Sequence, residues 1–287
     1  MVKLELYVDT QYKINDREFN LLRELIKELT GINLTEQKKM LVVSRLSKRL
    51  RQLGLSNFTS YYNYIMESEQ GRQEIDQLIN RITTNKTDFY REPHHFKCLT
   101  DICLPQIYEA HRFSIKRKLR IWSAGCSSGE EPYTIAITLA EFFKNKPGWD
   151  IKILATDLDT EMLDKAKAGI YKKDVVAPIP EELLRRYFLK GVGDNEGLYM
   201  VKKALKDMII FKRHNLVKES LKVTTPFDII FCRNVIIYFD SEEKARVINR
   251  FYNVLRSGGL LFLGHSESLL GNDGRFKLVG NSAYCKK

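Results

Sequence analysis

The chain has 287 residues, 44% of them apolar, and a formal net charge of +11. That length leaves room for about two domains at roughly 150 residues each, and the apolar share excludes wholesale disorder. No run of about 18 apolar residues occurs and the opening MVKLELYVDTQYK lacks the apolar run of a signal peptide, so a cytoplasmic protein without a membrane span is expected.

Five cysteines, Cys98, Cys103, Cys126, Cys232 and Cys285, are odd in number and irregularly spaced, which fits free thiols in a reducing compartment. The basic excess is local. Residues 1–84 hold 13 basic and 11 acidic side chains, yet Lys38, Lys39, Arg45, Lys48, Arg49 and Arg51 fall within 38–51 without one acid.

From Asp16 to about Thr84 the pattern is helical. Phe19, Leu22, Ile26 and Leu29 share one face and Gly31 supplies the stop. A second helix is expected to turn Met40, Val43, Leu46, Leu50 and Leu53 inward and the six bases outward, ending at Gly54, with two more helices over 58–66 and 75–82. The basic helix reads either as a solvated face or as an electrostatic dock for an acidic partner. It carries no interleaved aromatic platform, so no nucleic-acid partner is expected.

The segment 81–96, RITTNKTDFYREPHHF, is too rich in hydrogen-bonding side chains for a plain linker. Between two domains it suits residues that close over a cleft. His94, His95 and Cys98 lack a second ligand pair at a usual spacing; a helix-start role is expected for them, and no metal.

Strands then alternate with helices. Arg120–Ala124 reads as a strand and Pro132–Phe143 as a helix, joined by the tight turn Gly125-Cys-Ser-Ser-Gly-Glu-Glu. Such a turn at a strand's carboxyl end is where doubly wound sheets bind ligands. Three ligands compete. A dinucleotide fingerprint needs a third glycine, which is missing. Gly125-Cys126-Ser127-Ser128-Gly129 also satisfies the G-x-S-x-G elbow of α/β-hydrolases, with Asp228 and His265 in the matching chain order. The third candidate is S-adenosylmethionine, whose ammonium group suits Glu130 and Glu131 better than a pyrophosphate would.

A second strand, 151–157, ends in Asp157, placed to accept hydrogen bonds from ribose hydroxyls; Asp159 reads as the cap of the next helix. Further strands are expected over 208–215, ending at Asn215, over the continuously apolar 227–232, and over 260–266. A helix should run from about Glu242 to Gly258, and the last one or two strands from Phe276 to Lys286. Residues 187–206 break the alternation with a hairpin around Asp194–Gly197, either an accessory flap or an open edge to which a partner peptide adds a strand.

Five motifs, TTNKTDFYREPHHF, RIWSAGCSSGEEPYTIAITLAE, ATDLDTEMLDKAKAGIY, FDIIFCRNVIIYFD and LLFLGHSESL, stand in the order and spacing of the CheR-type chemoreceptor glutamate methyltransferases. The chain resembles a full-length member. The resemblance implies an α/β fold: a doubly wound, Rossmann-like methyltransferase sheet with an inserted antiparallel β hairpin subdomain (about 187–206) and a small all-helical N-terminal domain. Its implied divisions are 1–84 for receptor docking, 85–118 as a linker contributing to the cofactor cleft, and 119–287 as the S-adenosylmethionine domain.

The implied reaction moves a methyl group from S-adenosyl-L-methionine to glutamates in the cytoplasmic helices of chemoreceptors, leaving S-adenosyl-L-homocysteine. Carried onto this sequence, Asn85, Thr87, Arg91, Gly125, Glu131, Asp157, Asn215, Leu216, Arg233 and Asn234 form the cofactor site. Arg91 and Tyr238 are the implied catalytic groups, and Lys38, Lys39, Arg45, Lys48, Arg49 and Arg51 face the receptor. Gly191, Gly193 and Gly197 match members that tether a receptor C-terminal peptide at the hairpin. The chemistry is consistent with the residues. A glutamate with a pKa of about 4.3 is already ionised at neutral pH, so no general base is needed.

Overall fold

The computed structural model describes residues 12–111, 113–114, 117–269 and 274–287. These fall into two compact units.

The first unit, residues 12–84 with Tyr238–Asp240, is built on four helices: α1 (Asp16–Thr30), α2 (Lys39–Gln52), α3 (Phe58–Glu67) and α4 (Glu69–Ile82). Asn15 starts α1 through a capping box, taking the Glu18 N–H at 2.9 Å while Glu18 takes the Asn15 N–H at 3.0 Å, and Gly31 ends it in a left-handed turn. Phe19, Leu22, Ile26, Leu46, Leu50, Phe58 and Tyr61 interlock in the core. Tyr238–Asp240 is fastened to this unit by the Asn33 N–H, which donates to the Tyr238 carbonyl at 2.8 Å, and by the 2.8 Å ion pair of Lys27 with Asp240.

Two expectations for α2 are corrected here. Its inward face is Val42, Val43, Leu46 and Leu50, whereas Met40 is 56% exposed, because two residues before Val42 the helix has turned about 200° away. Nor are all six bases outward. Arg49 makes a two-pronged bond to the buried Glu74 at 2.8 and 2.6 Å, and Arg45 donates to the carbonyls of Ile82 and Thr83 at the end of α4. Lys39 pairs with Asp16. The exposed bases of 38–51 are Lys38, in a short turn before α2, Lys48 and Arg51.

The second unit begins with α5 (Pro93–Cys98), a π-helical turn over Leu99–Cys103 and α6 (Leu104–His111). There follow β1 (Arg117–Ala124), α7 (Glu130–Phe143), β2 (Trp149–Asp157), α8 (Thr160–Ala168), β3 (Ile170–Lys172), α9 (Lys173–Val176), α10 (Glu181–Tyr187), β4 (Phe188–Lys190), β5 (Leu198–Val201) and α11 (Lys203–Lys206). The chain closes through β6 (Ile209–Arg213), β7 (Phe227–Cys232), α12 (Ser241–Val254), β8 (Leu255–Leu263), β9 (Phe276–Gly280) and β10 (Ala283–Lys286).

The main sheet has the order β6-β2-β1-β7-β8-β10-β9. The first five strands run parallel, with Ile121 level with both Ile153 and Ile229, and β10 runs antiparallel to both its neighbours. All six residues of β7 are buried, as a central strand covered on both faces requires. From β1 the chain builds outward to β2 and β6, then returns to β7 on the other side of β1. The order reverses between β1 and β7, so their carboxyl ends part into a crevice.

The smaller sheet has the order β3-β5-β4. The hairpin expected over 187–206 is there as β4 and β5, but β5 gains a third strand, β3, from outside that stretch. Gly169, at φ 58°, ends α8 and turns the chain straight into β3. Three residues are too few for an alternating pattern to be read. Likewise α12 ends at Val254, not at Gly258, because Leu255 already pairs with Phe227 and the two glycines lie within an irregular start of β8. Among the described residues no helix is long and apolar enough to cross a membrane.

Candidate functional site

The turn after β1 requires glycine at its first position. Gly125 has φ 82°, its N–H donates to the Thr156 carbonyl at 2.8 Å, and a Cβ there would lie 2.4 Å from Val235 Cγ2. Gly125→Ala therefore combines left-handed strain with a clash, and a loss of about 1–3 kcal/mol in the free energy of urea unfolding is expected. Ser127, at φ 47°, turns its N–H onto Asp157 Oδ2 at 2.7 Å and its hydroxyl onto the Asn85 carbonyl at 3.0 Å.

Asp157, at the end of β2, also takes the Asp159 N–H at 2.9 Å. Burial nevertheless pushes its carboxyl up to about 6. Asp159 caps α8 through Met162 N–H, as expected, and also accepts from Asn85 Nδ2 at 2.7 Å. Asn85 thereby joins the 85–91 segment to the ends of β1 and β2. Thr87 is half-buried in that segment, and Arg91 Nη1 donates to the Lys86 carbonyl at 2.8 Å.

At the start of α7 the two acids divide. Glu130 is turned onto the Ser128 hydroxyl, which donates to it at 2.8 Å. Glu131 takes the Ser123 hydroxyl at 2.7 Å and lies 3.4 Å from Arg233 Nη1. Burial raises the Glu131 carboxyl above its ordinary range, while the charges of Arg233 and Arg91 pull it back. Arg233, just past β7, has a side chain only 2% exposed. Its guanidinium lies 3.3 Å from Glu92, donates to the Arg91 carbonyl and rests 5.5 Å over the Phe96 ring. Asn234 is left-handed, at φ 58°, and its Oδ1 is buried without a partner among the described residues.

Gly125, Glu131, Asp157, Arg233 and Asn234, with Asn85 and Arg91, thus belong to one crevice at the sheet's carboxyl edge. Asn215 and Leu216 are more occupied locally: Asn215 Oδ1 accepts from Val217 N–H at 3.0 Å and Lys218 N–H at 3.1 Å, and the Leu216 carbonyl accepts from Arg250. Tyr238 is grouped with the helical unit. Ser123 and Glu92 were not expected in this network. No sequence signal marks Ser123, whose role comes from lying eight residues before Glu131 across the turn; Glu92, beside Pro93, reads only as a helix start.

Residues 17–83 match the family described as "CheR methyltransferase, all-alpha domain", and residues 85–285 match "CheR methyltransferase, SAM binding domain". The chain belongs to the CheR methyltransferase family. The chemotaxis protein methyltransferase of Escherichia coli (strain K12) is 41% identical over 282 residues, 98% of this chain and 94% of that one. That of Borreliella burgdorferi is 42% identical over 260 residues, 90% of each. Chemotaxis protein methyltransferase 2 of Pseudomonas aeruginosa is 39% identical over 279 residues, 97% and 96%.

A CheR enzyme uses S-adenosylmethionine, and the donor set fits that group: carboxylates for hydroxyls and an ammonium, guanidiniums for a carboxylate, and the unpartnered Asn234 Oδ1. The hydrolase alternative fails on geometry. Asp228 is level with Arg120, whose N–H it accepts at 2.6 Å, and is paired with Arg256 at 2.8 Å, at the far end of the strand from Ser127.

Among the described residues Glu92, His94 and His95 have ligand atoms within 4.8 Å of one another. In the CheR site this cluster serves Arg233 instead. The Asn281 carbonyl can only accept, so His95 Nε2 carries a proton toward it at 2.9 Å, and burial with the Arg233 charge pushes His95 down to about 4. The Glu92 carboxylate is already engaged by Arg233 and by the His265 N–H at 3.0 Å, and a cation there would share it with the guanidinium.

Proposed function

We propose that this CheR-family enzyme acts in the cytoplasm and methylates glutamate side chains in the signalling helices of chemoreceptors, leaving S-adenosylhomocysteine. The observation that carries the reading is a crevice in which half-buried carboxylates face the buried Arg233 guanidinium, while His95, fully buried, is committed to a backbone carbonyl. That arrangement suits a nucleophile needing no base.

When bound, S-adenosylmethionine supplies a methyl group already activated on a sulfonium. Asp157 accepts from the ribose hydroxyls, Glu131 from the methionine ammonium, and Arg91 pairs bidentately with a carboxylate. Asn85, Thr87, Gly125, Asn215, Leu216, Arg233 and Asn234 would complete the cofactor surface, and Tyr238 is the second residue proposed as catalytic. Transfer would form an O–C bond to the methyl carbon as its C–S bond breaks and the neutral thioether leaves, so charge cancels and partial exclusion of water by these residues would favour the transition state.

The helical unit is the receptor dock in this reading, through Lys38, Lys48 and Arg51, while Arg45 and Arg49 hold the bundle together. Replacing Lys48 and Arg51 with alanine should raise KM for receptor several-fold at low salt, with the difference closing as ionic strength rises. The small sheet offers a tether for a receptor C-terminal peptide. Ile170, Met200 and Leu189 stand in register across it and are exposed, and Gly193 and Gly197, in the loop between β4 and β5, have open space around them.

The decisive experiment mixes the protein with labelled S-adenosylmethionine and a receptor cytoplasmic fragment. Base-labile label, released as methanol, is expected in the fragment. Cofactor binding without any transfer to receptor carboxylates would end the proposal.

A further inference from the structure

After β8 the chain folds into a turn over Gly264–Glu267, and the Glu267 side chain is buried, with the residue 5% exposed. A carboxylate so placed needs donors, and its donors here are backbone amides. Oε2 accepts from Asn234 N–H at 2.9 Å and Gly264 N–H at 2.6 Å; Oε1 accepts from Ile237 N–H at 3.1 Å. The Val235 amide bonds the same carboxyl.

The geometry explains why a carboxylate is required. Asn234 is held at φ 58°, a left-handed conformation that costs a non-glycine residue about 1 kcal/mol or more. A chain turned this way points successive N–H groups into one concavity, the kind of nest that binds an anion. The anion is the protein's own Glu267. Gly264 permits the approach, since a Cβ there would lie 2.7 Å from Asn234 Nδ2 and 2.8 Å from Glu267 Oε2.

We infer that Glu267 is a positioning residue for methyl transfer: its carboxylate clamps the 234–237 turn and thereby sets Asn234 against the cofactor. The inference rests on the reading of Asn234 as a cofactor contact. A glutamine has the same shape but only one oxygen, so its amide N–H₂ must face at least one of the backbone donors and the clamp opens.

The test is calorimetry of the full chain with S-adenosylhomocysteine, comparing wild type, Glu267→Gln, Asn234→Ala and the double variant at a temperature where circular dichroism shows all four folded. Glu267→Gln should weaken binding about tenfold or more. The double variant should bind no more weakly than Asn234→Ala alone, because Glu267 acts through Asn234. Should Glu267→Gln not fold, Gly264→Ala, which wedges Asn234 away without removing the charge, should weaken binding in the same direction.

A purely structural role would lower the unfolding midpoint and leave the folded protein's affinity unchanged. That result, losses that multiply in the double variant, or an unaffected Gly264→Ala would overturn the inference. Failure of the wild-type chain to bind would instead bring down the cofactor reading itself, and the inference with it.

Discussion

Arg233→Met is expected to be the most destabilising single change in the crevice, costing about 3–5 kcal/mol. Arg233 is the counter-charge of both Glu92 and Glu131, and methionine fills its space while leaving two largely covered carboxylates without it. Repulsion then raises both carboxyls, so the deficit should be large at neutral pH and shrink toward pH 5 as they protonate. A thermal shift of about 6–20 °C at pH 7.5 is the expected readout for a unit of this size, at about 2–4 °C per kcal/mol. Arg233→Lys should recover only part, because one ammonium cannot reach Glu92, Glu131 and the Arg91 carbonyl together. An unchanged midpoint in both variants would show that the guanidinium is not the hinge of the network.

The largest effect on binding is expected at Asp157. In the proposed ribose role two charge-assisted bonds to hydroxyls would contribute about 1.5–3 kcal/mol each, so Asp157→Ala should weaken S-adenosylhomocysteine binding by a factor of about 10² or more. The pH dependence follows from the carboxyl at about 6, against 3.8 in an open chain. The folded state holds its proton more tightly, so this group lowers stability as pH rises from about 4 through 6, a penalty on the order of 3 kcal/mol that is fully present above 6. Ribose hydroxyls donate to the ionised form, so cofactor affinity should increase from pH 5 to 7.5.

Burial also raises Glu130, Glu131, Asp228 and Glu267, whereas it pushes His95 down to about 4 and lowers His214, which slopes the other way, so the profile of the wild-type protein alone does not report Asp157. The difference between wild type and Asp157→Asn isolates the one group. Equal slopes for the two proteins, in stability and in affinity, would remove Asp157 from the ribose role.

Much of the architecture was legible because the signals are local. The continuous apolar run of β7 and the Gly125–Gly129 turn are short-range patterns, and so is the Gly31 stop of α1; each is read within a few residues. The Asp159 cap was legible for the same reason. What escaped has a common cause. Strand β3 is three residues long and is stabilised by pairing with β5, nearly thirty residues later. Met40 and the inward bases of α2 were misplaced because helical phase fixes which residues share a face, but not which face the bundle covers.

By itself the sequence determined the order of strands and helices, the glycine turn and the supply of acids and arginines along the carboxyl edge, since backbone preference and hydrophobic period act between near neighbours. Only the tertiary structure decided which charges meet: that Arg233 is shared by Glu92 and Glu131, that Arg49 is spent on Glu74, and that Glu267 fills the nest at Asn234. Those pairings depend on distance and desolvation across strands far apart in the chain, and neither quantity exists until the sheet has closed.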